Sequence, residues 1–134
     1  MAEAKNLEGK KIFLVEDDNL FANMMLKKLE NNKCIFLYAK DGEEAVVKIP
    51  ESKPDVVLLD LMLPGKYNGF DVLEQLKKDS KTKDIPVIIV SNMSDSKDID
   101  KGVSLGAYRF LVKAFVTLDE IVENLQAAVS GKAA

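Results

Sequence analysis

The chain of 134 residues contains no histidine and no tryptophan, and it has a single cysteine. Without histidine it cannot form a Ser-His-Asp or Cys-His catalytic site, a histidine-ligated metal centre or a histidine pH switch. Cys34 has no partner for an internal disulfide, and its apolar surroundings at 34–37 predict a buried, inert thiol in a reducing compartment. Any chemistry must therefore use carboxylates, hydroxyl groups and lysine.

Positive charge and long apolar runs are scarce as well. The net charge is −3, with 19 Lys and Arg against 22 Asp and Glu, so there is no basic surface for direct binding of nucleic acid. No segment reaches the roughly 18 apolar residues in a row that a membrane helix needs, and no signal-peptide pattern opens the chain. These absences predict a cytoplasmic protein that contacts neither nucleic acid nor membrane.

The apolar residues are arranged as short strands that alternate with helices. Strands are predicted at 12–15, 34–39, 56–59, 86–90 and 108–112. Helices are predicted at about 19–31, 43–49, 70–76, 95–105 and 118–129. This alternation predicts an α/β fold, a doubly wound (βα)5 sandwich of three layers around a parallel sheet of five strands. We expect one domain over 1–134 with its core at about 10–130.

Local signals set the predicted ends of several elements. Asp18 or Asn19 is expected to cap the first helix. The second helix is expected to begin with an Asp41 cap that Glu44 completes, and to end at Pro50. Thr117 with Glu120 three residues later predicts a capping box on the last helix, and 1–9 is expected to be a loose polar lead-in. The solvated run 77–81 is expected to follow the third helix.

Charged and hydroxyl side chains follow four of the five predicted strands. They are Glu16 and Asp17 after the first strand, Asp60 after the third, Ser91 after the fourth and Lys113 after the fifth. The carboxyl ends of parallel strands share one edge, where open α/β sheets place ligands. Carboxylates about 5 Å apart repel by roughly 3 kcal/mol per pair at an effective dielectric near 20. A chain selected only for stability would not gather them.

A divalent cation would remove this repulsion, because Mg²⁺ takes oxygen ligands from carboxylates, a carbonyl and water. Lys113 adds a positive charge and Ser91 a hydroxyl, and such a set suits a phosphoryl group, whose transfer depends on positioning and on neutralising oxygen charge. Each residue alone has a simpler interpretation. Asp60 could be a turn cap, Ser91 a helix cap and Lys113 a solvated lysine at a strand end.

Four motifs in order, V-E-D-D, L-L-D-L-M-L-P-G, P-V-I-I-V-S and G-A-x-x-F-L-V-K, resemble the receiver domain of two-component response regulators. The match covers about 11–129, and it implies the strand order 2-1-3-4-5. It also implies that Asp60 is phosphorylated, with Asp17 a direct Mg²⁺ ligand and Glu16 acting through water. The implied metal site has four members: Glu16, Asp17, Asp60 and, through its backbone carbonyl, Met62.

The resemblance assigns the remaining site residues to a switch. Ser91 takes the place of the hydroxyl residue that hydrogen-bonds the phosphoryl group, and Lys113 that of the lysine that pairs with it. Phe110 takes the place of the aromatic residue that moves inward on activation, although its simpler interpretation is a core residue. Asp18, one place beyond the acidic pair, is expected to serve only as a helix cap.

Three departures from the family pattern stand beside the site. The family usually has proline after the lysine, joined by a cis bond, whereas this chain has Ala114. A cis bond before a residue other than proline costs about 2.5–4 kcal/mol, so this loop should be strained or differently shaped. Asn92 replaces a commonly small residue and should narrow access to the site, and the turn at 65–69 is one residue longer than usual.

The leading hypothesis is a phosphorylation-activated signalling switch that is not an enzyme. A partner histidine kinase or phosphotransfer protein would supply the phosphoryl group, and the surface of the fourth helix, fifth strand and fifth helix would then change for a downstream protein target. Few residues follow the last helix, so we expect a stand-alone domain, a monomer or weak dimer, that acts through protein contact or as a phosphoryl relay or sink.

Two alternatives remain open at this stage. One is a pseudo-receiver that binds partners without being phosphorylated, which Ala114 and Asn92 would favour. The other is a Mg²⁺-dependent phosphatase with Asp60 as nucleophile, which is disfavoured because Met62 stands where such enzymes need a second acid.

Overall fold

The computed structural model describes residues 7–134, and its centre is one parallel sheet of five strands. The strands are β1 Lys11–Val15, β2 Ile35–Ala39, β3 Val56–Leu59, β4 Val87–Ser91 and β5 Arg109–Val112. Their order is β2-β1-β3-β4-β5, and every neighbouring pair is parallel. Both the predicted doubly wound sheet and the order implied by the resemblance are confirmed.

Five α-helices in the described part of the chain cover the two faces of this sheet. They are α1 Asn19–Leu29, α2 Gly42–Ser52, α3 Gly69–Lys78, α4 Ser96–Ser104 and α5 Leu118–Val129. Successive residues of a strand point to opposite faces. In β1, Phe13 and Val15 therefore join a core with α2 and α3, whereas Ile12 and Leu14 join a second core with α1 and α5. No helix within residues 7–134 has the length and apolar character needed to cross a bilayer.

The sequence signals for the ends of α1 and α5 are confirmed. The Asp18 side chain accepts hydrogen bonds from the first turn of α1, and Thr117 and Glu120 form both halves of the capping box on α5. At α2 only half of the predicted box forms. The Asp41 carboxylate accepts from the Glu44 amide, but the Glu44 carboxylate accepts from the amide of Lys40 instead of from that of Asp41.

The prediction that Pro50 ends the second helix is wrong. Proline lacks an amide donor and its ring crowds the preceding turn, yet α2 continues to Ser52, and the Lys53 amide donates to the Ile49 carbonyl at 3.0 Å. The helix ends at Lys53 itself, which adopts a left-handed conformation with φ of 50° before Pro54. A proline in the last turn of a helix therefore does not end the helix at its own position.

The expected loose lead-in is also wrong where it can be tested. Residues 1–6 lie outside the described part of the chain. Leu7, however, is fully buried in the core beside α1 and α5, and its carbonyl accepts from the Lys10 amide.

Cys34 lies just before β2 and is only half-buried, with its Sγ 3.7 Å from the Leu29 carbonyl oxygen. Partial burial still raises the pKa of its thiol.

Candidate functional site

The sheet itself fixes the two buried acids. The Glu16 amide donates to the Ala39 carbonyl and the Asp60 amide to the Val15 carbonyl, both at 3.0 Å, so each residue continues the hydrogen bonding of the strand before it. Glu16 is 1% exposed and Asp60 is 6% exposed. The hydroxyl of Tyr38 also donates to the Glu16 carbonyl at 2.7 Å. These hydrogen bonds fix the backbone from which the two carboxylates project.

Three carboxylates meet at this edge. One oxygen atom from each of Glu16, Asp17 and Asp60 lies within 4.8 Å of the others, and Asp17 is exposed to solvent. The donors are all hard oxygen atoms, the ligand type that Mg²⁺ binds. The separation is short enough for one small cation to contact more than one of them. The residues present therefore fit a divalent cation.

Lys113 brings a positive charge into this cluster. Its Nζ lies 2.8 Å from Oε1 of Glu16 and 3.1 Å from Oδ2 of Asp60, and its side chain is only 12% exposed. Burial by itself disfavours the charged ammonium. The contacts with the two carboxylates outweigh this effect, so the pKa of Lys113 lies above its ordinary value. The lysine is charged in this site at any physiological pH.

Glu16 carries an unusual carboxyl group. Burial, opposed by Lys113 and reinforced by the negative charge of Asp60, raises the pKa of Glu16 to about 7. Its Oε2 accepts a hydrogen bond from the Asp18 amide at 3.1 Å. Its Oε1 is buried and has the ion pair with Lys113, but it accepts no hydrogen bond of good geometry. A buried carboxylate oxygen with incomplete partners is a further feature that fits a bound cation.

The other predicted site residues lie around this cluster. Met62 has an exposed side chain, and its amide donates to Oδ1 of Asp60 at 3.2 Å. Ser91 ends β4, the strand next to β3, and is fully buried, with its Oγ 3.4 Å from the Met93 amide. Phe110 lies on β5 and is half-buried against the core beside α2 and α3. Direct hydrogen bonds thus join Met62 and Lys113 to Asp60, and strand order places Ser91 nearby.

Two contacts of the site were not found from the sequence. The first is the ring of Phe21 on α1, whose centroid lies 4.5 Å from Nζ of Lys113. Its helical spacing marked Phe21 only as a residue on the apolar face of that helix. The second is Glu43 on α2, whose Oε2 accepts from the Lys66 amide at 2.9 Å and so holds the long turn after β3. This hydrogen bond is the main reason that the pKa of Glu43 is lowered.

The loop after Lys113 is differently shaped, which is one of the two outcomes expected from Ala114. No peptide bond within residues 7–134 is cis, and Lys113–Phe115 forms a 3₁₀ turn. Phe115 in this turn is 78% exposed. Asn92, expected to narrow access to the site, is also exposed. Asn92 and Ala114 are thus both exposed residues, and they directly follow Ser91 and Lys113.

Comparison with known proteins agrees with this geometry. The family model of the response regulator receiver domain matches residues 12–126. Protein PilH of Pseudomonas aeruginosa is 34% identical over 121 residues, which are 90% of this chain and 98% of that protein. The phosphate regulon transcriptional regulatory protein PhoB of Escherichia coli is 33% identical over 121 residues, 90% of this chain but 52% of that protein. The chain thus spans about half the length of several curated relatives.

Solved structures show the same likeness. The receiver domain of Francisella response regulator 1452 superposes with a TM-score of 0.83 at 28% identity, covering 92% of this chain and 98% of that one. The Mn²⁺-bound form of response regulator Rcp1 superposes with a TM-score of 0.77 at 26% identity, covering 88% and 92%. This chain belongs to the response regulator receiver domain family, whose members are phosphorylation-dependent signalling modules.

Proposed function

We propose that residues 1–134 form one receiver domain in which Asp60 accepts a phosphoryl group from a partner histidine kinase or phosphotransfer protein. The observation that carries this proposal is the Asp60 carboxylate itself. It is nearly buried at a strand end, beside two other carboxylates, with a lysine Nζ 3.1 Å from its Oδ2. The chain has no histidine, so a phosphohistidine donor must belong to the partner.

In the transfer, a carboxylate oxygen of Asp60 attacks the phosphorus atom of the partner's phosphohistidine. A P–O bond forms as the P–N bond breaks, and the imidazole nitrogen keeps the electron pair and is protonated. Water later attacks the phosphorus of the aspartyl phosphate, which breaks the P–O bond to Asp60 and yields inorganic phosphate and the free carboxylate. This chemistry needs little from the protein beyond positioning and compensation of oxygen charge.

Two side chains would meet the phosphoryl oxygens. Lys113 already lies beside Oδ2 of Asp60 and would pair with the added negative charge. Ser91, at the end of the adjacent strand, would donate its hydroxyl hydrogen to a phosphoryl oxygen. Removing one such charge-assisted hydrogen bond typically costs about 1.5–3 kcal/mol.

Mg²⁺ is the cation that we propose for the carboxylate cluster. Four residues would hold it: Asp17 and Asp60 directly, Met62 through its backbone carbonyl, and Glu16 through water. When bound, the ion supplies positive charge that offsets the charge of the phosphoryl oxygens. The support from this chain is the oxygen donor set within 4.8 Å and the incompletely paired Oε1 of Glu16.

The output would be a change in the surface formed by α4, β5 and α5, which a downstream protein target reads. Phe110 and α4 are packed closely enough for one to affect the other. A Cβ atom added to Gly102 of α4 would lie only 3.1 Å from Cδ2 of the Phe110 ring. Ser91 drawn toward the phosphoryl group would favour a second packing of Phe110 and α4, which is a population shift. In this role the protein is a cytoplasmic switch and not an enzyme.

Mass spectrometry after incubation with acetyl phosphate and Mg²⁺ tests the proposal. We expect the mass of one phosphoryl group to be added to the wild type and to be absent in Asp60→Asn. No adduct on the wild type would contradict the proposal and support a pseudo-receiver, for which the altered turn at Ala114 is the favouring observation. Rapid turnover of unrelated phosphate esters would support a phosphatase instead.

A further inference from the structure

Lys113 has a third neighbour besides its two carboxylates. Its Nζ lies 4.5 Å from the centroid of the Phe21 ring, well within the distance of about 6 Å at which a cation is attracted to an aromatic face. Glu16 and Asp60 lie on strand ends, whereas Phe21 comes from α1. The ammonium group is therefore held from the sheet and from a helix at the same time.

The position of Phe21 is tied to the acidic cluster. Oδ1 of Asp18 accepts hydrogen bonds from the amides of Leu20 at 2.9 Å and of Phe21 at 3.5 Å. The Asp18 amide in turn donates to Oε2 of Glu16. The ring is half-buried against the core beside α1 and α5. The backbone that carries the ring is thus fixed, through two successive hydrogen bonds, to the carboxylate with which Lys113 pairs.

The backbone at Lys113 offers less support than the backbone at Phe21. The 3₁₀ turn Lys113–Phe115 has no side-chain cap hydrogen bond, and Ala114 and Phe115 are both exposed. The position of the Lys113 ammonium group therefore depends on its contacts with neighbouring side chains. When other groups bind to Glu16 and Asp60, the contacts of these carboxylates with Lys113 change. The contact between Lys113 and the uncharged Phe21 ring does not.

We propose that Phe21 is a positioning residue whose ring holds the Lys113 ammonium beside Asp60 through a cation–π contact. The consequence for phosphorylation rests on the function proposed above, whereas the contact itself does not. Because the ring face attracts a cation and an aliphatic side chain does not, the effect should follow the aromatic character of the side chain and not its size alone.

The first measurement is the rate of Asp60 phosphorylation by acetyl phosphate. Phe21→Leu keeps an apolar side chain but removes the ring, and it should slow the reaction about threefold to tenfold. Phe21→Tyr keeps the ring and should restore most of the rate. Leu20→Ala, a change at the neighbouring residue that is 69% exposed, is the matched control and should leave the rate unchanged. A Phe21→Tyr variant as slow as Phe21→Leu would overturn the proposal.

The second measurement is the NMR shift of the Lys113 ε-methylene group in the unphosphorylated protein without Mg²⁺. The ring current of Phe21 should displace this resonance in the wild type and in Phe21→Tyr, and the displacement should vanish in Phe21→Leu but persist in Leu20→Ala. An unchanged resonance in Phe21→Leu would overturn the contact. If the unfolding midpoint shows that Phe21→Leu is poorly folded, Phe21→Met, which has no ring either, takes its place.

The two measurements separate the two proposals. If the wild type takes no phosphoryl group, the proposed function fails, and the Lys113 resonance alone decides whether Phe21 holds the lysine. If the wild type is phosphorylated and Phe21→Leu reacts at the same rate, the proposed function stands and the role of Phe21 is overturned.

Discussion

The two sides of the site are built differently. We call β1 with the Glu16 and Asp17 that follow it, β3 and the segment 60–69 the acidic half, and the end of β4 with α4 and β5 the α4 half. Every residue of β3 is buried, whereas every residue of β5 is only half-buried. In α3, which follows the acidic half, five residues are buried, but in α4 only Gly102 is buried. Elements that move in signalling come from the less stable parts of a protein, so the α4 half is the side expected to respond.

Two glycines make the same contrast at atomic distances. A Cβ on Gly69, the first residue of α3, would lie 2.3 Å from the Asp60 carbonyl oxygen and 2.4 Å from Cα of Leu61. A Cβ on Gly102 would lie 2.7 Å from Cδ1 of Ile89 and 3.1 Å from Cδ2 of Phe110. The two nearest atoms to the first are backbone atoms, whereas the second meets side-chain atoms, which shift more easily. The acidic half is therefore more rigid around Gly69 than the α4 half is around Gly102.

The largest expected effect comes from removing the link between the halves. Lys113 follows β5 yet pairs with both buried acids, so Lys113→Ala should abolish the change at α4 on phosphorylation while the fold persists. Amide chemical shifts of α4, recorded with and without the phosphoryl group, measure this directly. If phosphorylation changes the α4 chemical shifts or partner binding of Lys113→Ala as much as it does in the wild type, the lysine does not join the halves.

Gly69→Ala should be the most destabilising of the glycine changes. Overpacking against backbone at the start of α3 should lower the free energy of unfolding by about 3 kcal/mol or more, because neither Asp60 nor Leu61 can shift without disturbing the end of β3. Urea unfolding of the variant and the wild type gives the value. A variant with wild-type stability would mean that the acidic half is less rigid than its packing indicates.

Glu16 should make the acidic half sensitive to pH in the absence of divalent metal. Its pKa is raised from 4.5 to about 7, so the folded state binds more protons than the unfolded state between these values. Stability should therefore fall as pH rises from about 4.5 to 7, by roughly 3 kcal/mol, and level off above that. Urea unfolding across this range, in the wild type and in Glu16→Gln, isolates the contribution. Equal slopes in the two proteins would rule it out.

Gly102→Ala should have the smallest effect on stability, below about 1 kcal/mol. The added methyl group crowds Ile89 and Phe110, but those side chains can shift, and alanine favours a helix over glycine by about 1 kcal/mol. Urea unfolding of Gly102→Ala, measured alongside Gly69→Ala and the wild type, gives the difference in the free energy of unfolding. A loss as large as that of Gly69→Ala would show that the two halves are equally rigid.

The parts that sequence reasoning predicted correctly are those with local causes. The run 56–59 between two prolines gave the bounds of β3, and Asp18, Thr117 and Glu120 gave helix ends. The meeting of Glu16, Asp17 and Asp60 followed from strand ends that must share an edge. Each of these depends on residues close in sequence or on one rule of parallel sheets.

The parts that sequence reasoning missed depend on tertiary contacts. The burial of Leu7 requires the core beside α1 and α5, and the contact of Phe21 with Lys113 joins residues from α1 and the end of β5. The hydrogen bond from Lys66 to Glu43 ties a loop to a helix that precedes it by a whole strand. No local pattern carries such pairs, because each side chain alone has an ordinary place on its own element.

In the function proposed above, carboxylates that repel one another are kept together because a magnesium ion and, at times, a phosphoryl group require them. A crystal structure determined in saturating Mg²⁺ tests it most directly. We predict one ion bound by Asp17, Asp60 and the Met62 carbonyl, with Glu16 joined to it through water. Carboxylates turned away from each other with no ion among them at saturating Mg²⁺ would contradict the account.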